Sequence, residues 1–296
     1  MAIWILMVAS VRGAEWEVAL NALKKRCEGA ASVQFHALVK TYRETDPSPM
    51  DPLVRVLDYK GKGAMFAFEG KQSGRDTSLI LGNGAYDGVN YQHRLGPHLH
   101  ISKGLPLAIP ELYIADSIFQ PFLPFKLMRE GNPEVPEAVM TLAQLSSPEQ
   151  WDKILSNAHE PEIEGPPEDR YVVLTFPGFS WDRKVSAKVW FSLARGGYPM
   201  RWQMREVSRE QPGPFGYDYE VTELGEVNAK GVVFYYPKVA KLQQYCGNQK
   251  PCAWHSIETS EVQMNHLEDD EPFTLDPSEF EGILDLDTNQ FISVPK

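Results

Sequence analysis

The stretch VSAKVWFSLARGGYPMRWQMRE, residues 185–206, alternates apolar and polar side chains on both sides of a Gly-Gly turn. Val185, Ala187, Val189, Phe191 and Leu193 fall on one side, and Ser186, Lys188, Trp190 and Ser192 on the other. After the turn, Met200, Trp202 and Met204 share a side opposite Arg201, Gln203 and Arg205. Successive side chains of an extended strand point to opposite faces, so a period of two marks a strand with one apolar and one wet face. Two such runs joined by Gly196-Gly197 read as a β-hairpin.

The same period recurs in VQFHALVKT, residues 33–41, where Val33, Phe35, Ala37, Val39 and Thr41 align. Further strands are predicted near 63–69, 76–82, 85–93, 170–176, 216–224, 230–236 and 253–263. Helical spacing is rarer. Residues 15–29 carry it and stop at Gly29. Residues 110–128 are apolar but broken by Pro121 and Pro124. The segments 136–145 and 147–158 each open with a proline in the first turn, the second behind Ser147 as a cap. The expectation is one antiparallel sheet of roughly ten strands with a few helices, and a sheet that wide curls. Its broad apolar face must be covered by a second sheet, by helices or by a ligand. Aromatic and methionine side chains at period two suit a plain core as well as a pocket.

With 296 residues, 43% of them hydrophobic, the chain can bury a sizeable core. A net charge of −11 argues against nucleic-acid binding, and no partner of that kind is expected. The Pro-rich acidic run HEPEIEGPPEDR, 159–170, reads as a flexible surface connection.

Two of the three cysteines, Cys246 and Cys252, stand in YCGNQKPCAWH, 245–255. Zinc sites use closer pairs and a second pair of ligands, which His255 and His266 do not supply. A redox pair would be Cys-x-x-Cys at a helix start. Strands at 242–245 and 253–257 around a Gly-Asn and Pro loop would instead make a hairpin, whose ends suit a disulfide. Cys27 is left as a buried thiol on the first helix. A disulfide implies an oxidising compartment. Residues 1–13 show an apolar run followed by small residues, similar to the second half of a secretory signal peptide, although no Lys or Arg precedes it. The alternative for this run is a buried N-terminal strand. No stretch approaches the roughly 18 apolar residues of a membrane span, so the expectation is an exported, soluble protein and a monomer.

Candidate catalytic patterns are weak. His98 and His100 would share a strand face near His93, but no acidic or cysteine partner can be assigned, and no metal or other cofactor is expected. The acidic run at Glu268–Glu271 lacks the glycine bend of a calcium loop. Ser180 in FPGFSWD is not in a Gly-x-Ser-x-Gly elbow. No catalytic residue is assigned, and the chain reads as a non-enzyme.

The order of these features carries a resemblance. A signal-like start leads into a helix and a long strand, followed by AYDG (85–88), VWFSLARGGYP (189–199) and the pair VTELGEVNAKGVVFYYPKVA (221–240). FTLD (273–276) then precedes GILDLD (282–287). This succession resembles the LolA/LolB-like superfamily of periplasmic lipoprotein carriers, in a divergent form. The resemblance implies a mainly β fold in which a strongly curved antiparallel sheet forms an unclosed β-barrel, its concave face covered by helices. It implies residues 1–13 as the signal peptide and 14–296 as one LolA-like domain with a helical insertion around 105–170. It also implies that the concave face takes an acyl chain of a lipid or lipoprotein, in outer-membrane lipoprotein sorting. The residues expected to line that face are Val33, Phe35, Val39, Val189, Phe191, Met200, Trp202 and Met204. The alternatives are an envelope sensor or partner-binding module of the same fold, with an envelope protein as partner, and a secreted hydrolase.

Overall fold

The computed structural model describes residues 17–18, 21–26, 28–43, 52–73, 82–104, 158–159, 161–180, 183–207, 212–246, 251–268 and 272–294. Residues 1–13, Cys27, the segments 110–128 and 136–145, nearly all of 147–158, and the strand expected at 76–82 save its last residue lie outside them.

Two antiparallel meanders make up the sheet. The first runs β1 (Ser32–Arg43), β2 (Leu53–Lys62), β3 (Met65–Ser73), β4 (Asn83–Tyr86), β5 (Asn90–Leu95) and β6 (His98–Lys103). The second runs β7 (Glu162–Glu164), β8 (Tyr171–Ser180), β9 (Arg183–Ser192), β10 (Tyr198–Val207), β11 (Pro212–Ala229), β12 (Val232–Cys246) and β13 (Pro251–Met264). Antiparallel pairing of β1 with β13 joins them, Val39 opposite Ile257. A terminal hairpin, β14 (Gly282–Asp285) and β15 (Gln290–Ser293), adds to the far edge. The result is one 15-stranded curved sheet whose ends, β15 and β7, do not pair with each other. The barrel is unclosed.

β14 lies parallel to β6, which requires the chain to cross over. It does so along the outer face of the first meander. The Leu275 N–H donates to Gln92 Oε1 at 2.6 Å and the Glu281 N–H to the Pro97 carbonyl at 2.9 Å. Lys60 lies over the Phe273 ring and Arg94 over Phe280, and both phenylalanines are buried. The strap thus hides two aromatic rings against that half of the outer face.

The helical segment before β1 meets the sheet through Leu23, which enters the core. The Arg26 guanidinium donates to the carbonyls of Arg195 (2.9 Å) and Gly196 (2.8 Å) and lies over the Tyr235 ring. Gly196 has φ 56°, and a Cβ there would come within 2.3 Å of that guanidinium. Both facts require glycine in the Gly-Gly turn. Asn265 holds the other end, accepting from the Ala31 N–H and donating to the Gly29 carbonyl.

The strand count corrects the expectation of about ten. Residues 85–93 divide into β4 and β5 at a turn where Asp87 accepts from the N–H groups of Val89 and Asn90. The run 159–170, expected as a loose connection, includes the short edge strand β7. The expected helical cover is not found among the described residues, where the segment around 21–26 is the only α-helix.

Candidate ligand-binding face

Directly opposed residues in an antiparallel ladder share a face, so the register defines the inner surface strand by strand. On β1 it presents Val33, Phe35, Ala37 and Val39, on β9 Ala187, Val189 and Phe191, and on β10 Trp202 and Met204. Trp202 stands opposite Val189 and Tyr219. Of the predicted lining residues, Val33, Phe35, Val39, Val189, Phe191, Trp202 and Met204 are each no more than 2% exposed and belong to one continuous apolar cluster. Met200 joins it differently. A β-bulge between Pro199 and Arg201 sets Pro199 opposite Phe191 and leaves Met200 the extra residue, half-buried against the cluster.

Aromatic rings dominate the rest of this surface. Phe35 stacks on Tyr59 with centroids 5.0 Å apart, and Tyr59 continues to Phe66. The Trp202 indole lies nearly parallel to Tyr219 at 5.6 Å, with Tyr217 tilted beside it. Burial pushes the Tyr219 hydroxyl far above the usual phenol range. None of Tyr59, Phe66 or Tyr219 was assigned to the face from sequence, although Phe66 and Phe68 alternate visibly in MFAF.

The inner face also carries polar atoms. Thr259 stands opposite Ala37 and His98 opposite Leu95. Among the described residues, the buried atoms Trp202 Nε1, Thr259 Oγ1 and His98 Nδ1 have no hydrogen-bond partner. Nearer one end of β1, His255 shares 2.9 Å with the Thr41 hydroxyl. Burial first, then the positive charges of Arg55 and Arg43, lower its pKa to about 4, so it is neutral at pH 7.

The outer face is of another character. Asp218 accepts from Arg205 at 2.6 Å, from Gln203 at 2.9 Å and from the Tyr245 hydroxyl at 2.9 Å. Burial alone would raise its pKa, but the three donors together hold it below the usual carboxylate range. Trp190 donates to Glu164 and carries Arg201 over its ring. Lys188, Arg201 and Arg205, expected to face water, lie on this side. A polar groove of ≈ 310 Å³ runs between β1–β3 and the strap, lined by His36, Asp58, Lys60, Glu69 and Glu261 among others.

No family model matches the chain, and no curated protein matches it. Solved structures do. The chain is similar to a LolA superfamily protein from Nitrosomonas europaea, at 12% identity and a TM-score of 0.47, over 87% of this chain and 98% of that one. It is similar to a DUF1329 family protein from Desulfovibrio piger, at 8% identity and a TM-score of 0.48, over 87% and 95%. A more distant likeness, at a TM-score of 0.22 and 8% identity, is to MucB in its complex with MucA, over 84% and 98%.

Cys246 and Cys252 are joined in a disulfide across the β12–β13 hairpin, with Cα atoms 5.7 Å apart. His93 and His100 are cross-strand partners. Burial first, then the neighbouring His100, lowers the His93 pKa. No group of three or more His, Cys, Asp or Glu suited to a metal ion occurs among the described residues. No helix among them is long and apolar enough to cross a membrane.

Proposed function

We propose that the protein is a non-enzymatic binding protein of an oxidising, exported compartment, holding an acyl chain of a lipid or lipoprotein against the inner face of its unclosed sheet. The observation that carries this reading is the inner face itself. One curved sheet gathers Val33, Phe35, Val39, Val189, Phe191, Trp202 and Met204 into a single apolar surface, with no second sheet among the described residues to match it. Each acyl methylene buried there would contribute roughly 0.8 kcal/mol, so a chain of ordinary length supplies ample affinity. The Cys246–Cys252 bridge supports an oxidising compartment, and residues 1–13 would be the segment removed on export. A role in lipoprotein sorting follows the same line.

Native mass spectrometry of the full chain, expressed with export in a Gram-negative host, tests the proposal. A co-purifying lipid mass, displaced by added fatty acid, is the expected result. Protein that is folded, carries no lipid and fails to bind an environment-sensitive apolar dye would refute it.

A further inference from the structure

We infer that the open edge of β15 is a docking site for an extended segment of another polypeptide, one that alternates apolar with basic side chains and adds to the sheet as one more strand. The inference is independent of the lipid reading above.

A sheet that does not close has two edges, and each presents main-chain groups that a foreign strand can pair with. The two edges of this sheet are built differently. β7 is three residues long, and the exposed Glu162 and Glu164 flank Ile163. Short length and charge are the means by which natural sheets blunt an edge. β15 reads Gln290-Phe291-Ile292-Ser293 and carries no charge. Phe291 is 54% exposed and Ile292 56%, and Leu286, in the turn that leads to them, is 51% exposed.

The register fixes which groups are on offer. β14 pairs Ile283 with Ile292 and Asp285 with Gln290, and the Val294 N–H donates to the Glu281 carbonyl at 3.2 Å. Gln290, Ile292 and Val294 therefore turn their N–H and C=O groups toward β14. Phe291 and Ser293 turn theirs to the open side, where no strand among the described residues pairs with them. The Phe291 ring is also held in place. It stands edge-on to His98 at 5.3 Å, and a Cβ on Gly282 would come within 2.2 Å of it, so the glycine lets the ring settle on the sheet. A strand laid alongside would form main-chain hydrogen bonds at Phe291 and Ser293 and bury apolar side chains beside Phe291 and Ile292. In strand addition the first of these supplies affinity and the second specificity.

Charge selects the partner. From Thr274 to Val294 the chain carries five carboxylates and no Lys or Arg. Two of them, Glu281 and Asp285, stand opposite the ends of β15, at Val294 and Gln290. A second copy of the chain would bring the same carboxylates to this edge, with a net charge of −11 on each copy. A segment with Lys or Arg between its apolar residues meets the edge with attraction in place of that repulsion.

The probe is a short capped peptide alternating Val and Lys, labelled for fluorescence anisotropy and titrated into the full chain. Three controls accompany it: the same composition in two blocks, an alternating Val and Glu peptide, and the Val–Lys peptide with its main-chain nitrogens methylated. The alternating Val–Lys peptide should bind at least roughly tenfold more tightly than each control. Ser293→Pro removes an N–H that faces the open side and makes no bond to β14, and proline is tolerated on an edge strand. With circular dichroism confirming its fold, this variant should also bind the peptide roughly tenfold more weakly. The methylated peptide makes the same test with the protein unchanged. Absence of binding, equal affinity for the alternating and block peptides, or full affinity of the methylated peptide overturns the inference, as does unchanged binding by Ser293→Pro. Analytical ultracentrifugation should find no dimer that Ser293→Pro dissociates; such a dimer would assign the edge to a second copy and overturn the inference likewise.

Discussion

His255 should give the protein a stability that falls as the solution is acidified through the histidine range. The imidazole lies on the inner face beside Arg43 and Arg55 and bonds the Thr41 hydroxyl, with its pKa lowered to about 4. In the unfolded chain the same group titrates near 6.5. Between those values the unfolded state binds the proton and the folded state does not, so acid favours unfolding there. At neutral pH neither state is protonated and nothing is lost. Below about 4 both are protonated, and the difference stops growing. The shift of roughly 2.5 units corresponds to a loss on the order of 3 kcal/mol between pH 7 and 4. The assay is urea unfolding of wild type and His255→Gln at half-unit pH intervals. Glutamine keeps a polar group for Thr41 but has no titration. Other groups titrate in both proteins and cancel in the difference. The wild-type advantage over His255→Gln should shrink steadily from pH 6.5 to 4 and then level off. Parallel curves, with a difference constant to within about 0.5 kcal/mol, would refute both the burial of the neutral imidazole and the influence of the two arginines.

Two further outcomes follow from the packing and the bridge. Phe191→Ala removes a ring that is 0% exposed in the cluster, and should destabilise the fold by about 3–5 kcal/mol in chemical denaturation; a change below about 1 kcal/mol would mean the inner face closes easily around the loss. Non-reducing peptide mapping should find Cys246 linked to Cys252, and the Cys246→Ala/Cys252→Ala double variant should lose about 2.4 kcal/mol by loop-closure entropy. Both thiols alkylated in native, unreduced protein would sink the pairing.

The parts of the fold visible in the sequence are those written by local alternation. β1, β9 and β10 announce themselves because one side of each is apolar without interruption, and the hairpin cysteines sit at the ends of one short loop. β2 fails the same reading because Arg55 occupies an inward position opposite Val39, between Leu53 and Leu57. β6 is punctuated by His98 and His100, and its pairing with β14 spans a crossover of sequence that no local period records. Within the candidate face, the alternation placed seven of eight residues in the regular ladder. Met200 departs because the Pro199–Arg201 bulge is a property of pairing with β9, invisible in a single strand's pattern. The helices expected at 110–128, 136–145 and 147–158 lie outside the described residues, Ala158 excepted, and the cover of helices came from the resemblance and not from any local period.

The contrast between the two faces bears on where function resides. Outside, charge is met with charge: Arg205 grips Asp218, Lys238 pairs with Glu223, and the strap covers Phe273 and Phe280 under Lys60 and Arg94. Those interactions complete themselves within the chain and ask for nothing more. Inside, a large apolar surface surrounds an indole N–H and a threonine hydroxyl that the described residues leave unmatched. Replacing both with apolar side chains of similar shape would remove that desolvation cost, and packing alone gives no reason to keep them. The proposed lipid site lies on that inner face, and Trp202→Phe, which removes the N–H and keeps the apolar bulk, tests what the N–H does there. If the N–H serves only the fold, the variant changes melting and leaves binding of an apolar dye intact; if it serves a ligand, dye binding falls while the fold stays.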